Sequence, residues 1–144
     1  MFAPETPAPP ASTPASTSAG VVPEPLRLDP FTAYRLGPLT LHNRIVKAAT
    51  FEGVMPNGSV TDDLVEYHRR VAAGGAAMST VAYLAVAAGG RVHRHTLVLD
   101  RDTAVELRRV TEAVHAEGAA ACAQIGHAGL VANTRSNRTP TLAP

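Results

Sequence analysis

The sequence predicts an α/β fold built on a parallel sheet, and three observations carry that reading. Residues 43–53, NRIVKAATFEG, hold a short apolar run (Ile45, Val46, Ala48, Ala49) with little alternation, the pattern of a strand buried on both faces. Residues 76–83 and 119–129 repeat the form, an apolar run ending in small or polar residues. Each of these two follows an amphipathic, helix-like segment. The order strand, helix, strand, helix, strand is that of a βαβαβ run with right-handed crossovers. A parallel sheet must be covered on both faces or close into a barrel. Three strands with two helices do neither, so the chain is expected to lack part of its domain. Chemistry in such folds gathers at the C-terminal strand ends. Residues 49–52 are therefore the first place to seek a site.

Taken in order, residues 1–25 are mostly Pro, Ala, Ser and Thr, hold seven of the twelve prolines, and show no periodicity. Such a segment buries too little apolar surface to offset its ordering entropy and is expected to be disordered. Deleting it is expected to leave folding unchanged; protection of the segment in limited proteolysis of the whole protein would overturn this. The folded part is expected over residues 26–144. Residues 34–36 and 39–41 flank Gly37-Pro38 and predict a small hairpin. The first long strand is expected over residues 44–50, followed by a turn at Asn57-Gly58.

Thr61 predicts a helix N-cap, with Asp62 and Asp63 at the positive end of the helix dipole. Leu64, His68, Val71 and Ala72 share one face of that helix, and Gly74-Gly75 stops it. The second strand is expected over residues 76–82. Residues 84–99 are the least regular stretch, with Gly89-Gly90 and the basic group Arg91, His93, Arg94 and His95. Asp102 or Thr103 is expected to start a second helix, with capping-box spacing from Thr103 to Glu106. Its apolar stripe is Leu107, Val110 and Val114, and Gly118 ends it. Without the rest of a barrel, the apolar faces of both helices are expected to lie partly in water. The third strand, residues 119–125, closes on Gly126-His127-Ala128-Gly129.

Composition narrows the function classes. A net charge of +1 gives no electrostatic case for nucleic acid or a membrane surface. The single cysteine, Cys122, excludes an internal disulfide framework and suits a reducing compartment. No apolar run reaches transmembrane length, and the N-terminus shows neither a basic n-region nor an apolar h-region, so a cytoplasmic protein is expected.

Three pieces of the chain then stand in the order and spacing of a known family. They are LGPLTLHNRIVKAATFEG (residues 36–53), NGSVTDDLVEYHRRVAAGG (57–75) and HAEGAAACAQIGHAG (115–129). From about residue 28 to 144 the chain resembles the N-terminal part of the Old Yellow Enzyme family of FMN-dependent NAD(P)H oxidoreductases. The resemblance implies a (β/α)8 TIM barrel with FMN at its C-terminal face. This chain supplies about three of the eight units of such a barrel, which takes about 250 residues. The resemblance also implies NADH or NADPH as reductant and hydride transfer to an activated C=C of an unsaturated carbonyl acceptor, enoate or dienoyl in type. Oligomerisation stays open.

Only some positions carry the resemblance to residues. Ala49, Thr50 and Phe51 match the segment along the flavin ring, where a Thr or Cys commonly bonds the flavin O4. Phe51 is the strict counterpart and Thr50 stands one place earlier. One place in a strand reverses side-chain direction, so both stay open. Ala82 matches a small residue that admits the flavin to the backbone, while its neighbour Val81 replaces a Glu. Gln124 matches a flavin-binding carboxamide, which can accept from N3–H and donate to O2. His127 and Gly129 also match, but Leu130 replaces an Arg. The family's substrate-binding His/Asn pair, its tyrosine proton donor and its later phosphate site fall outside these units. No catalytic residue and no metal ligand is therefore assigned.

Plainer readings stand beside these. Gln124 can satisfy backbone groups at a strand end, and His127 can be structural. Cys122, inside an apolar strand, reads as an inert core thiol. Arg91 to His95 reads as a solvated loop face, His93 and His95 lack the companions of a zinc site, and Gly89-Gly90 lacks the Lys-Ser/Thr of a phosphate loop. Two rival functions remain. An aldolase-like barrel of Schiff-base type is disfavoured because Lys47 sits too early in its strand. A truncated or split chain without activity of its own would show no bound flavin spectrum on addition of FMN.

Overall fold

The computed structural model describes residues 28–140; the expectation for residues 1–25 lies outside them. Strands β1 (Tyr34–Leu36) and β2 (Leu39–Leu41) form an antiparallel hairpin. Gly37 turns it at φ +56°, a conformation that suits a residue without Cβ. Strands β3 (Val46–Lys47), β4 (Met78–Ala85) and β5 (Ala120–Gly126) form a parallel sheet in that order. Helix α1 (Asp62–Ala73) connects β3 to β4. Helices α2 (Arg101–Glu106) and α3 (Arg108–Ala116) connect β4 to β5, and a short α4 (Thr134–Asn137) follows.

The local rules place α1 well. The Thr61 hydroxyl accepts from Leu64 N at 3.2 Å, and its replacement by alanine removes a cap worth about 1 kcal/mol. Leu64, His68 and Ala72 are buried, as the periodicity predicts. The second helix differs from expectation at its start. Its cap is Asp100, whose carboxylate accepts from Thr103 N at 2.8 Å, so the helix begins at Arg101 and not at Asp102 or Thr103. It is also interrupted at Leu107, which divides it into α2 and α3.

One core lies between the sheet and the helices. It comprises Met55, Leu64, Ala72, Val81, Leu84, Leu97, Val110, Val114 and Ala119. The apolar faces of α1 and α3 are thus covered, contrary to the expectation that they lie partly in water. Arg69, paired with Glu66 of its own helix at 2.7 Å, also reaches Glu117 just past the end of α3 at 2.7 Å and so ties the two helices together. A second cluster, Leu41, Ala77 and Met78 with Ala120, seats the hairpin at the N-terminal end of the strands. The opposite end is left to the loops.

Two strand expectations need correction. The first strand reaches only Lys47 as a ladder, not residue 50, because side chains take over the next backbone groups of β4. Cys122 is exposed, not a core thiol. It pairs in register with Thr80 on the sheet whose free edge is β5. No residue of that strand is fully buried and Cys122 to Ile125 are all exposed, which an apolar sequence alone does not reveal.

Candidate functional site

The ends of β3, β4 and β5 lie at one side of the parallel sheet, and all the expected site residues lie there. Ala82 closes the regular part of β4 and is buried, at 3% exposure. The register with β5 shifts between Val81 and Leu84, which sets Gln124 opposite this irregularity. Thr50 and Phe51 follow β3 in an extended, unpaired segment and are both exposed, Phe51 at 53%. Ala49 is half-buried between them and the strand.

Gln124 lines a cavity of about 210 Å³ with Tyr83, Val92, Ile125, Gly126, His127 and Ala128. The wall is built by interlocking loops. The Tyr83 hydroxyl donates to Gly90 O at 2.6 Å and accepts from Val92 N at 2.8 Å. Burial pushes the Tyr83 phenol up, against the lowering effect of the Val92 hydrogen bond. Ala128 N donates to Gly90 O at 2.8 Å. Gly90 lies flat against the His127 ring, where an added Cβ would stand 2.5 Å from Cδ2. Gly90 therefore has a packing purpose, close approach of two loops, and no phosphate motif is needed to explain it. His127 Nδ1 accepts from Gly129 N at 3.0 Å, which fits the structural reading of that residue.

The basic group is less solvated than the sequence suggests. His95 Nδ1 accepts from Asn57 N at 2.8 Å, and the His93 and His95 rings lie 4.8 Å apart. Partial burial, then the Arg94 and His93 charges, lower the His95 pKa and favour neutral imidazole. Arg94 N donates to Ser136 Oγ at 3.1 Å, and Asn137 Nδ2 donates to Arg91 O, so this loop is locked to α4.

Sequence reasoning missed a buried polar group behind the site. Lys47 Nζ stands 2.7 Å from Glu52 Oε1, and His68 Nε2 of α1 stands 3.4 Å from the same oxygen. His68 Nδ1 is 2.7 Å from Ser79 Oγ of β4. The signal was present: a lysine inside an apolar run, five residues before a glutamate.

The exposed donors and acceptors suit a flat heteroaromatic ring with an imide edge. No hydrogen bond among the described residues engages the Gln124 carboxamide, so its acceptor and both donors remain for a ligand. Ala82 presents a small side chain, and Thr50 and Phe51 lie open at the adjacent strand end. These residues fit the pyrimidine edge of FMN.

The chain is 72% identical over 114 residues to the 4,4'-dithiodibutanoate disulfide reductase of Rhodococcus erythropolis, a match covering 79% of this chain and 28% of that protein. It is 35% identical over 99 residues to the NADH:acrylate oxidoreductase of Vibrio harveyi, covering 67% of this chain and 10% of that protein. The chain thus spans less than a third of the length of these relatives. The structure of the Old Yellow Enzyme homologue from Zymomonas mobilis superposes with a TM-score of 0.72 at 21% identity, over 81% of this chain and 33% of that one. That likeness shows the fold: β3, β4 and β5 with their helices are units of a TIM barrel. The sequence profile of the NADH:flavin oxidoreductase/NADH oxidase family, whose cofactor is FMN, matches residues 29–143, and the chain belongs to that family.

Proposed function

We propose that this chain is the N-terminal part of an FMN-dependent NAD(P)H oxidoreductase, and that Ala49, Thr50, Phe51, Ala82 and Gln124 form one edge of its flavin site. The observation that carries the reading is the Gln124 carboxamide, unengaged among the described residues at the end of β5. Bound FMN would supply the hydride chemistry, from NAD(P)H to the acceptor. The chain's own residues orient the ring: Gln124 by accepting from and donating to its imide edge, Ala82 by leaving room at the backbone. Phe51 and Thr50 would bound the adjacent side of the ring.

The proposed acceptor is an activated C=C conjugated to a carbonyl or carboxylate, a reading supported by the acrylate oxidoreductase relative. A carboxylate-bearing disulfide is a second reading, favoured by the 72% identity to a dithiodibutanoate reductase. Both acceptors are anionic. Residues 86–99 and 127–140, which the Arg94–Ser136 and Asn137–Arg91 bonds lock together, contain Arg91, Arg94, Arg135 and Arg138 and no Asp or Glu. That charge pattern suits a carboxylate on either acceptor.

The test uses the complete barrel protein, reduced with NADH under anaerobic conditions. Reoxidation of its flavin by acrylate supports the first acceptor, and reoxidation by 4,4'-dithiodibutanoate the second. Absence of any bound flavin would overturn the whole reading. In the same protein, Thr50→Ala is expected to shift the flavin potential and Phe51→Ala mainly to loosen packing. An unchanged potential in Thr50→Ala would remove Thr50 from the site.

A further inference from the structure

Strand β3 leaves the sheet early. Its ladder with β4 ends at the Lys47–Ser79 pair, yet β4 continues to Ala85. Beyond that pair, the edge of β4 facing β3 still offers Thr80 O and Ala82 N–H. Two side chains take the place of the missing strand. Lys47 Nζ donates to Thr80 O at 2.8 Å, and Ala82 N donates to the two Glu52 oxygens at 3.2 and 3.4 Å. The same two side chains pair with each other at 2.7 Å. Residues 48–51 lie between them and carry no ladder pairing.

The pair is deeply placed. The Glu52 side chain has no exposure and that of Lys47 only 10%. Burial raises the Glu52 pKa, but the nearby His68 imidazole, 3.4 Å away, and the Lys47 hydrogen bond and charge outweigh it and hold the carboxyl below the usual carboxylate range. A buried ion pair adds little stability over an apolar pair of the same volume, because desolvation offsets the attraction. Its presence here points to a geometric role.

We propose that Lys47 and Glu52 are positioning residues. They clasp the exposed edge of β4 and hold residues 48–51 out of the sheet, so that Ala49, Thr50 and Phe51 stand beside Ala82 to receive the flavin. Had the ladder run on, residues 48–51 would have paired with β4, and alternate side chains would have turned into the helix layer. The clasp gives β4 the same backbone partners without drawing that segment in. This inference rests on reading those four residues as flavin contacts.

The test is made in the complete barrel protein with FMN as the probe. The double variant Lys47→Met/Glu52→Met replaces the ion pair with apolar side chains and is expected to fold. It leaves Thr80 O and Ala82 N–H unclasped, and is expected to bind FMN about tenfold or more weakly, the factor that about 1.4 kcal/mol makes. Its flavin absorbance bands should shift as well. Glu52→Gln keeps an oxygen to accept from Ala82 N–H and is expected to retain near-parental FMN affinity. A folded Met pair with parental affinity and spectrum would overturn the clasp, as would a folded Glu52→Gln that loses FMN. Should the Met pair not fold, Glu52→Gln decides alone: retention supports the clasp and loss overturns it. A parental protein that holds no FMN fails the flavin reading itself, which is a separate outcome.

Discussion

Glu52→Ala is expected to destabilise the fold by about 3–5 kcal/mol, the cost of breaking a buried ion pair and leaving one charge behind. Against a net stability of about 5–15 kcal/mol, that is a large fraction. The substitution leaves Lys47 Nζ with Thr80 O and the face of the Tyr67 ring but no counter-ion, and strips the acceptor from Ala82 N. His68 loses the group 3.4 Å from Nε2 and keeps only Ser79. The parental protein should also carry a pH signature. Glu52 has a folded pKa below its unfolded value, held there by His68 and Lys47 against the opposing effect of burial. Its contribution is therefore fully present above the ordinary carboxylate range and is lost as pH falls through the depressed folded value. Denaturant unfolding of the complete protein at neutral and acidic pH measures both effects. The parental protein should lose stability toward acid, and Glu52→Ala should lose this component of that slope. A variant with the parental midpoint would show that the pair is not buried as described.

Much of the fold was legible because it rests on local rules. Gly37-Pro38 between two short apolar runs is a hairpin, and Thr61 before Asp62-Asp63 is a helix start, whatever the rest of the chain does. The length of β3 was not legible. An apolar run from Ile45 to Ala49 reads as strand, and only the neighbours show that side chains replace its ladder after Lys47. Asp100 was not legible as the cap, because Thr103 and Glu106 also have capping-box spacing and spacing alone does not choose between the two. The position of the site at the strand ends followed from the parallel order of strands. The Lys47–Glu52–His68–Ser79 group did not, because it joins residues from three elements and periodicity carries no information about such partners. A lysine inside an apolar run implies a buried counter-ion, but nothing in the run itself names Glu52 as that partner.

A polypeptide of residues 26–144 expressed alone is expected neither to hold FMN nor to melt as a stable monomer. The reason is the sheet face away from the helices. The helix side is closed, with Leu64, Val110 and Val114 buried. On the open side and at the strand ends, Val46, Phe51, Ile125, Leu130 and Val131 are 44%, 53%, 56%, 82% and 74% exposed. A TIM barrel fills its interior with layers of four side chains drawn from alternate strands of eight, and three strands complete no such layer. Each large apolar side chain gains about 1.5–3 kcal/mol on full burial. Several left in water outweigh a net stability of about 5–15 kcal/mol. The outer edges of β3 and β5 have no strand partner among the described residues, and open apolar edges favour self-association. Gln124 would grip one edge of the flavin without the phosphate site that the family resemblance places in later units. Near-UV circular dichroism, size-exclusion elution and absorbance in the flavin bands, recorded with and without added FMN, check the expectation. A monodisperse, cooperatively melting, yellow monomer would overturn it and would show that three units of the barrel suffice for the cofactor.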